Sequence, residues 1–250
     1  MTRRTHAAGV SAVTFDYWNT LVREDAGKRD HRLDAWLGLL EGEGMAVERE
    51  RLGAAFAANW RAFDERWKAN RPFGAADAAE FILGELGYSV PPELNDALVA
   101  TFTEPGERRP ELTPNVAATL RRLQGAGVRI GIICDVGLTP SPVLRRFLAD
   151  HSVLDAFDHW SFSDEVGCYK PSPDIFDHAL AGLGVDDPAT AAHVGDLRRT
   201  DVAGARAAGM VAVRYRGIFD DPGPEDDPAP PEGHHVVTDH AELPEVLGIG

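Results

Sequence analysis

Three short apolar runs in this chain end on residues that can do chemistry. Ala12-Val13-Thr14-Phe15 ends at Asp16, Val128-Arg129-Ile130-Gly131-Ile132-Ile133 at Cys134-Asp135, and Ala191-Ala192-His193-Val194 at Gly195-Asp196. Asp201 follows shortly after, and Lys170 stands in a polar stretch ahead of Pro173. Such runs read as buried parallel strands. In open parallel sheets, ligands bind beyond the carboxyl ends of the strands. If these ends lie side by side, their side chains converge on one crevice. Two or three carboxylates supply the hard oxygen ligands that Mg²⁺ prefers. A lysine and a metal neutralise an anion, and one carboxylate is left to attack as a nucleophile, as in aspartyl-phosphate chemistry.

The elements needed to position these groups follow in order. A helix opens after Pro114 and spans Val116 to Gln124, stopped by Gly125 and Gly127. Further helices are expected over Ser141–Asp150, Pro173–Gly182 and Asp201–Ala208, with short strands at Trp160–Phe162, Val211–Val213 and Val236–Thr238 and a last helix from Ala241. Strand and helix alternate. The expected fold is therefore α/β, a Rossmann-like doubly wound parallel sheet with helices on both faces. Asp220 to Gly233, rich in Asp and Pro, reads as an exposed loop.

Between about Lys28 and Thr103 the texture is helical. Leu33, Trp36, Leu37 and Leu40 form one apolar stripe, and Leu52, Phe56, Trp60, Phe63 and Trp67 a second. Phe81, Ile82 and Leu86, then Leu94, Leu98 and Phe102, suggest two more helices. The aromatic stripe is expected to be core rather than a cofactor box. Pro105-Gly106 and Pro110 mark the return. The expected domains are a core of residues 1–24 and 105–250 and a helical cap of residues 25–104.

Composition narrows the function classes. The chain has 250 residues, enough for one α/β domain with an insert. Lys and Arg number 25 against 40 Asp and Glu, a net charge of −15. That charge opposes nucleic acid and anionic membrane surfaces as partners. It also means an anionic substrate needs a local positive centre. No apolar run approaches the roughly 20 residues of a membrane helix. No apolar signal core follows Met1-Thr2-Arg3-Arg4-Thr5-His6, so a cytoplasmic location is expected. The two cysteines, Cys134 and Cys168, are in no CxxC or Cys/His cluster and are expected to be reduced. An apolar cap face would allow either a monomer or a homodimer.

Four segments carry a resemblance. Phe15-Asp16-Tyr17-Trp18-Asn19-Thr20-Leu21 resembles the first motif of the haloacid dehalogenase superfamily, and Ile132-Ile133-Cys134-Asp135 sits where the second belongs. Lys170-Pro171-Ser172-Pro173-Asp174-Ile175-Phe176 is similar to the third. Gly195-Asp196-Leu197-Arg198-Arg199-Thr200-Asp201, with Gly204-Ala205 and Gly209-Met210 behind it, is similar to the fourth. Order and spacing match across nearly the whole chain, with the helical insert between the first two motifs, where many members carry a cap. The resemblance implies a hydrolase in which Asp16 is nucleophile and metal ligand. The backbone carbonyl of Trp18, Asp196 and Asp201 complete a Mg²⁺ site, Asp201 directly or through water. It implies that Lys170 holds Asp16 and the transferring group, that Thr20 supports the nucleophile's turn, and that Cys134, Asp135 and Lys170 face the substrate, a small phosphorylated metabolite selected by the cap.

The pattern also departs from the family. Its phosphatases usually place a second aspartate two residues after the nucleophile, as general acid and base; here Trp18 stands there. Glu24, Asp25 and His31 are the candidate substitutes. Cys134 replaces the usual Ser or Thr, a weaker donor to phosphate, and is equally readable as a packed strand-end residue. Asp135 adds negative charge beside an anion. Haloacid dehalogenases of the superfamily carry an aromatic residue at the position of Trp18 and use no metal, but usually have Ser and Asn where Gly195-Asp196 stand. Three functions remain open: a Mg²⁺-dependent phosphatase, which the fourth motif favours, a 2-haloacid dehalogenase-type hydrolase, and a catalytically weak ligand-binding or regulatory protein. Taken singly, Asp16 is readable as a turn residue, Lys170 as a solvated lysine and Asp201 as a carboxylate at a helix N-terminus.

Overall fold

The computed structural model describes residues 9–23, 27–104, 109–223 and 231–249. Met1 to His6, Glu24, Asp25 and Pro105-Gly106 lie outside these residues, as does part of the loop expected over Asp220 to Gly233. The described chain divides into two compact units. One comprises residues 1–23, 111–135 and 148–250, the other residues 24–110 and 136–147.

The first unit is built on six parallel strands. They are β1 (Ala12–Phe15), β4 (Arg129–Cys134), β5 (His159–Phe162), β6 (Ala191–Gly195), β7 (Val211–Tyr215) and β8 (His235–Val237), in spatial order β5-β4-β1-β6-β7-β8. β1, β4, β6 and β7 are buried almost throughout, which is why they read as unbroken apolar runs. A two-stranded antiparallel ribbon, β2 (Val22–Arg23) with β3 (Glu111–Leu112), brackets residues 24–110. Helices flank the sheet. α5 (Val116–Gly125) packs on β4 and on α10 (Leu243–Val246). α8 (Pro173–Gly182) and α9 (Ala203–Ala207) bury Ile175, Phe176, Ala179, Leu180 and Ala205 with Ile133, Ala191 and Val202. This is the α/β, Rossmann-like parallel sheet expected from the sequence.

Register decides where the site forms. Phe15 pairs with Ile132 on one side and with Val194 on the other. The residues that follow, Asp16, Ile133 and Gly195, are therefore level at the carboxyl edge. The Asp16 N–H donates to the Val194 carbonyl (2.8 Å), extending the ladder into the turn.

Among its described residues the second unit contains four whole helices, α1 (Lys28–Gly42), α2 (Arg49–Lys68), α3 (Ala75–Leu86) and α4 (Pro92–Thr103). Trp36 is at its centre, edge-on to Phe56 and Phe102, with its indole N–H donating to Thr101 Oγ1 (2.9 Å). Leu33, Leu40, Leu52, Ile82, Leu86, Leu94 and Leu98 complete the core. The α2 stripe departs from expectation at one residue: Trp60 is 61% exposed. At about 100° per residue it falls at the stripe's edge, about 40° from Phe56, and its ring stacks on Phe63 instead (centroids 5.2 Å apart). Residues 136–147, which follow β4 in sequence, belong to this unit: Leu138 packs on its core, and Arg32 donates both to Thr139 Oγ1 (3.2 Å) and to the Phe102 carbonyl at the end of α4 (3.2 Å). Residues 141–147 of α6 (Ser141–Asp150), about two of its turns, lie in this segment.

Candidate active site

The first strand delivers Asp16 into a tight turn. Asn19 adopts a left-handed φ of 54°, which asparagine tolerates. Leu21 and Val22 N–H groups return to the Tyr17 carbonyl (2.9 and 3.0 Å). Thr20 is buried within this turn. Its carbonyl accepts from Thr113 Oγ1 (2.5 Å) and from His240 Nε2 (2.8 Å), while its own hydroxyl has no partner among the described residues. Trp18 packs edge-on against Tyr17 (5.1 Å) and pairs with Val22, so its ring forms part of the turn.

Lys170 enters from the loop ahead of α8. Its ammonium is buried and donates to Asp16 Oδ1 (2.5 Å), Asp201 Oδ1 (2.6 Å) and the Ile133 carbonyl (3.0 Å). A solvated surface lysine is therefore excluded. Asp135 receives the Lys170 backbone N–H on Oδ1 (2.8 Å), and its carboxylate thereby anchors the loop that carries the ammonium. Cys134 is buried at the end of β4, and burial, with Asp16 nearby, pushes its thiol well up; it stands there un-ionised.

Asp201 reaches the same point by an unusual turn. The sequence pattern suggested a helix from Asp201 to Ala208. Instead residues Arg198–Val202 form a wide π-type turn, with Asp201 and Val202 N–H both donating to the Leu197 carbonyl, and α9 begins only at Ala203. Such turns recur at functional sites. The wide turn folds Asp201 back over the end of β6. Its Oδ1 accepts from Lys170 and from His193 Nε2 (3.0 Å), and its Oδ2 accepts from the Leu197 N–H (2.9 Å). Gly195 makes room for this, since a Cβ there would lie 2.2 Å from Asp201 Cγ. Asp201 is thus held by tertiary contacts, not by a helix N-terminus.

One oxygen from each of Asp16, Asp196 and Asp201 lies within 4.8 Å of the others, and all three residues are buried. Asp196 receives no hydrogen bond from another side chain among the described residues. Three carboxylates face one ammonium, an excess of two negative charges when all are ionised. Burial pushes Asp16 up to about 7, against the pull of Lys170, and pushes Asp196 well above the usual carboxylate range. Asp201 is buried too, but the Lys170 ammonium and the His193 hydrogen bond hold it well below that range. An oxygen-only cluster with surplus negative charge, in which Asp196 has no side-chain donor among the described residues, fits a hard divalent cation.

His193 and Thr14 belong to this site, and sequence reasoning missed them. They are register partners on β6 and β1, with Thr14 Oγ1 2.9 Å from His193 Nδ1. Burial lowers the imidazole pKa, so the ring is neutral. The available signal was that His193 shares a strand face with Gly195, two residues on.

A family model for haloacid dehalogenase-like hydrolases matches residues 10–209. The chain belongs to this family. Among curated relatives, a glyceraldehyde 3-phosphate phosphatase of Methanopyrus kandleri is 28% identical over 229 residues, covering 89% of this chain and 91% of that protein. A phosphoserine phosphatase of Thermus thermophilus is 34% identical over 143 residues, covering 57% and 53%. Of solved structures, a 2-haloacid dehalogenase from Pseudomonas syringae aligns over 96% of this chain and 98% of its own at 25% identity, with a TM-score of 0.69. A phosphatase of the family from Thermococcus onnurineus aligns over 95% and 98% at 24% identity, with a TM-score of 0.64. No helix among the described residues is long and apolar enough to cross a membrane.

Proposed function

We propose that this hydrolase is a Mg²⁺-dependent phosphatase of small phosphorylated metabolites, with Asp16 as nucleophile. The observation that carries the reading is the buried cluster of Asp16, Asp196 and Asp201 around the Lys170 ammonium. The names of the Methanopyrus and Thermus relatives support it. Asp16, Asp196 and Asp201, with the Trp18 carbonyl, would hold Mg²⁺, which supplies Lewis-acid polarisation of the phosphoryl oxygens and offsets their repulsion by the carboxylates.

The chain's own groups do the rest. Lys170 favours the ionised form of Asp16 against the effect of burial, holds it in place, and offers positive charge to the incoming anion. An Asp16 oxygen attacks phosphorus, the bond from phosphorus to the ester oxygen breaks, and the leaving oxygen departs with its electron pair. Water then attacks the aspartyl-phosphate, releasing phosphate and restoring the carboxylate. Trp18 has no proton to give to the leaving oxygen. Esters whose leaving group is a stable anion are therefore the favoured substrates, because general acid help is worth about 10²–10⁴-fold. His31, one candidate substitute acid, is exposed on α1 of the helical unit; Glu24 and Asp25 lie outside the described residues.

A second reading, a 2-haloacid dehalogenase-type hydrolase, rests on Trp18 and on the Pseudomonas neighbour. There Asp16 would displace halide from carbon, and water would cleave the resulting ester. One experiment separates the two readings. Aryl phosphate, alkyl phosphate and 2-haloacid are each offered with Mg²⁺ and with a chelator, to the wild type and to Asp16→Asn. The phosphatase reading expects aryl phosphate turnover that needs both Mg²⁺ and Asp16. Halide release in the chelator would replace it with the second reading, and aryl phosphate turnover by Asp16→Asn would remove Asp16 as nucleophile.

A further inference from the structure

We propose that His193 is a positioning residue for the carboxylate cluster: it donates from Nε2 to Asp201 Oδ1, in a tautomer set by Thr14, and so fixes how Asp201 faces a bound cation. The inference rests on reading Asp16, Asp196 and Asp201 as a Mg²⁺ site.

The hydrogen-bond geometry assigns the tautomer. Asp201 Oδ1 already accepts from Lys170 (2.6 Å), and a carboxylate oxygen cannot donate. The proton between His193 and Asp201 (3.0 Å) is therefore on Nε2. In the neutral ring Nδ1 is then an acceptor, and the Thr14 hydroxyl at 2.9 Å is its donor. The alternative acceptor for that hydroxyl, the Ala192 carbonyl, is farther away at 3.3 Å. Phe176 lies edge-on against the buried imidazole (5.4 Å).

With His193 in place, Lys170 and His193 occupy both acceptor sites of Oδ1. Oδ2 receives the Leu197 N–H at 2.9 Å and only a long contact from Thr200 Oγ1 at 3.5 Å. The free accepting capacity of Asp201 is thus confined to Oδ2. Without the imidazole donor, Oδ1 regains an open site and the carboxylate can rotate about Cβ–Cγ. Neighbours that orient metal-binding groups typically govern affinity by about 10–100-fold.

The test uses the full chain and the metal alone. Mg²⁺ affinity is measured by titration calorimetry for wild type, His193→Gln, His193→Phe and Thr14→Val, with melting curves to check folding. Glutamine presents an amide N–H near the place of Nε2, whereas phenylalanine keeps the ring's bulk without the donor. The expected result is a Mg²⁺ affinity about 10–100-fold weaker for His193→Phe, near wild type for His193→Gln, and weakened by a smaller factor for Thr14→Val. Equal affinity in all four overturns the proposal, as does equal loss in the Gln and Phe variants, which would assign the effect to packing. A wild type that binds no Mg²⁺ overturns it as well. If His193→Phe does not fold, Thr14→Val decides, and wild-type affinity there counts against the proposal. Aryl phosphate hydrolysis is followed in parallel. A wild type that binds Mg²⁺ but cleaves no phosphate ester overturns the phosphatase reading, and the affinity ratios still decide this one.

Discussion

Gly195 and Asp201 occupy each other's space: a Cβ on the glycine would lie 2.2 Å from the aspartate's Cγ. The bare backbone at the end of β6 is what lets the turn after Asp196 fold Asp201 back onto Lys170. Gly195→Ala is expected to push Asp201 outward rather than unfold the chain. Overpacking of this kind costs about 1–3 kcal/mol, while a displacement near 1 Å at a reacting centre can lower turnover about 10²-fold. Chemical denaturation and aryl phosphate kinetics, run side by side, check both magnitudes. Full activity in the alanine variant would mean that Asp201's position is not needed.

Lys170 is the ammonium among three buried carboxylates. Removing one partner from a buried ionic cluster leaves uncompensated charge and typically costs about 3–5 kcal/mol. Lys170→Met is expected to lose stability on that scale and to lose turnover. Mg²⁺ should restore part of the stability but none of the turnover, because a ligand that binds only the folded state stabilises it by mass action. Urea midpoints with and without Mg²⁺ measure this. A midpoint indifferent to Mg²⁺ in both wild type and variant would argue against a cation at the cluster.

Much of the site was legible because it stands on strand ends. β1, β4 and β6 are buried on both faces, so they read as unbroken apolar runs, and each run stops at Asp16, Cys134 or Gly195. Parallel register then makes those ends level. What stayed hidden depends on close approach in three dimensions. The π-type turn that presents Asp201 has no periodic signature; it exists because a missing Cβ at Gly195 leaves room for it. His193 looked like one of nine unpatterned histidines until the register set it beside Thr14. Residues 136–147 follow a core strand in sequence, yet Leu138 and the Arg32–Thr139 contact bind them to the helical unit. Trp60 kept helical spacing but fell at the stripe's edge, where exposure is decided by packing and not by pattern.

Trp18 stands where a proton donor would serve the leaving group. Trp18→Asp is expected to raise alkyl phosphate hydrolysis relative to aryl phosphate, by up to the 10²–10⁴-fold that general acid catalysis supplies. The ring also packs on Tyr17 at 5.1 Å, so some stability should be lost with it. The discriminating quantity is the alkyl-to-aryl ratio of kcat/KM in wild type and variant. An unchanged ratio would mean that another group already protonates the leaving oxygen.

The turn after Asp16 carries its own pH sensitivity through His240. The imidazole is buried, stacks on Tyr215 at 4.4 Å, and donates from Nε2 to the Thr20 carbonyl, while Nδ1 has no partner among the described residues. A second proton would have to sit on Nδ1, which has no acceptor among the described residues, and burial lowers the pKa to about 4. The unfolded chain titrates near 6.5. Between those values the unfolded state binds a proton that the folded state refuses. Stability is therefore complete above about pH 6.5 and declines as the pH falls toward 4, by up to about 3 kcal/mol from this one residue. His240→Gln keeps an N–H for Thr20 but cannot titrate, so its stability should fall less steeply over the same range. Urea denaturation at pH 7 and pH 4.5 for both proteins isolates the difference from the carboxylates that titrate alongside. Parallel pH profiles for the two would show that His240 is not the group refusing the proton.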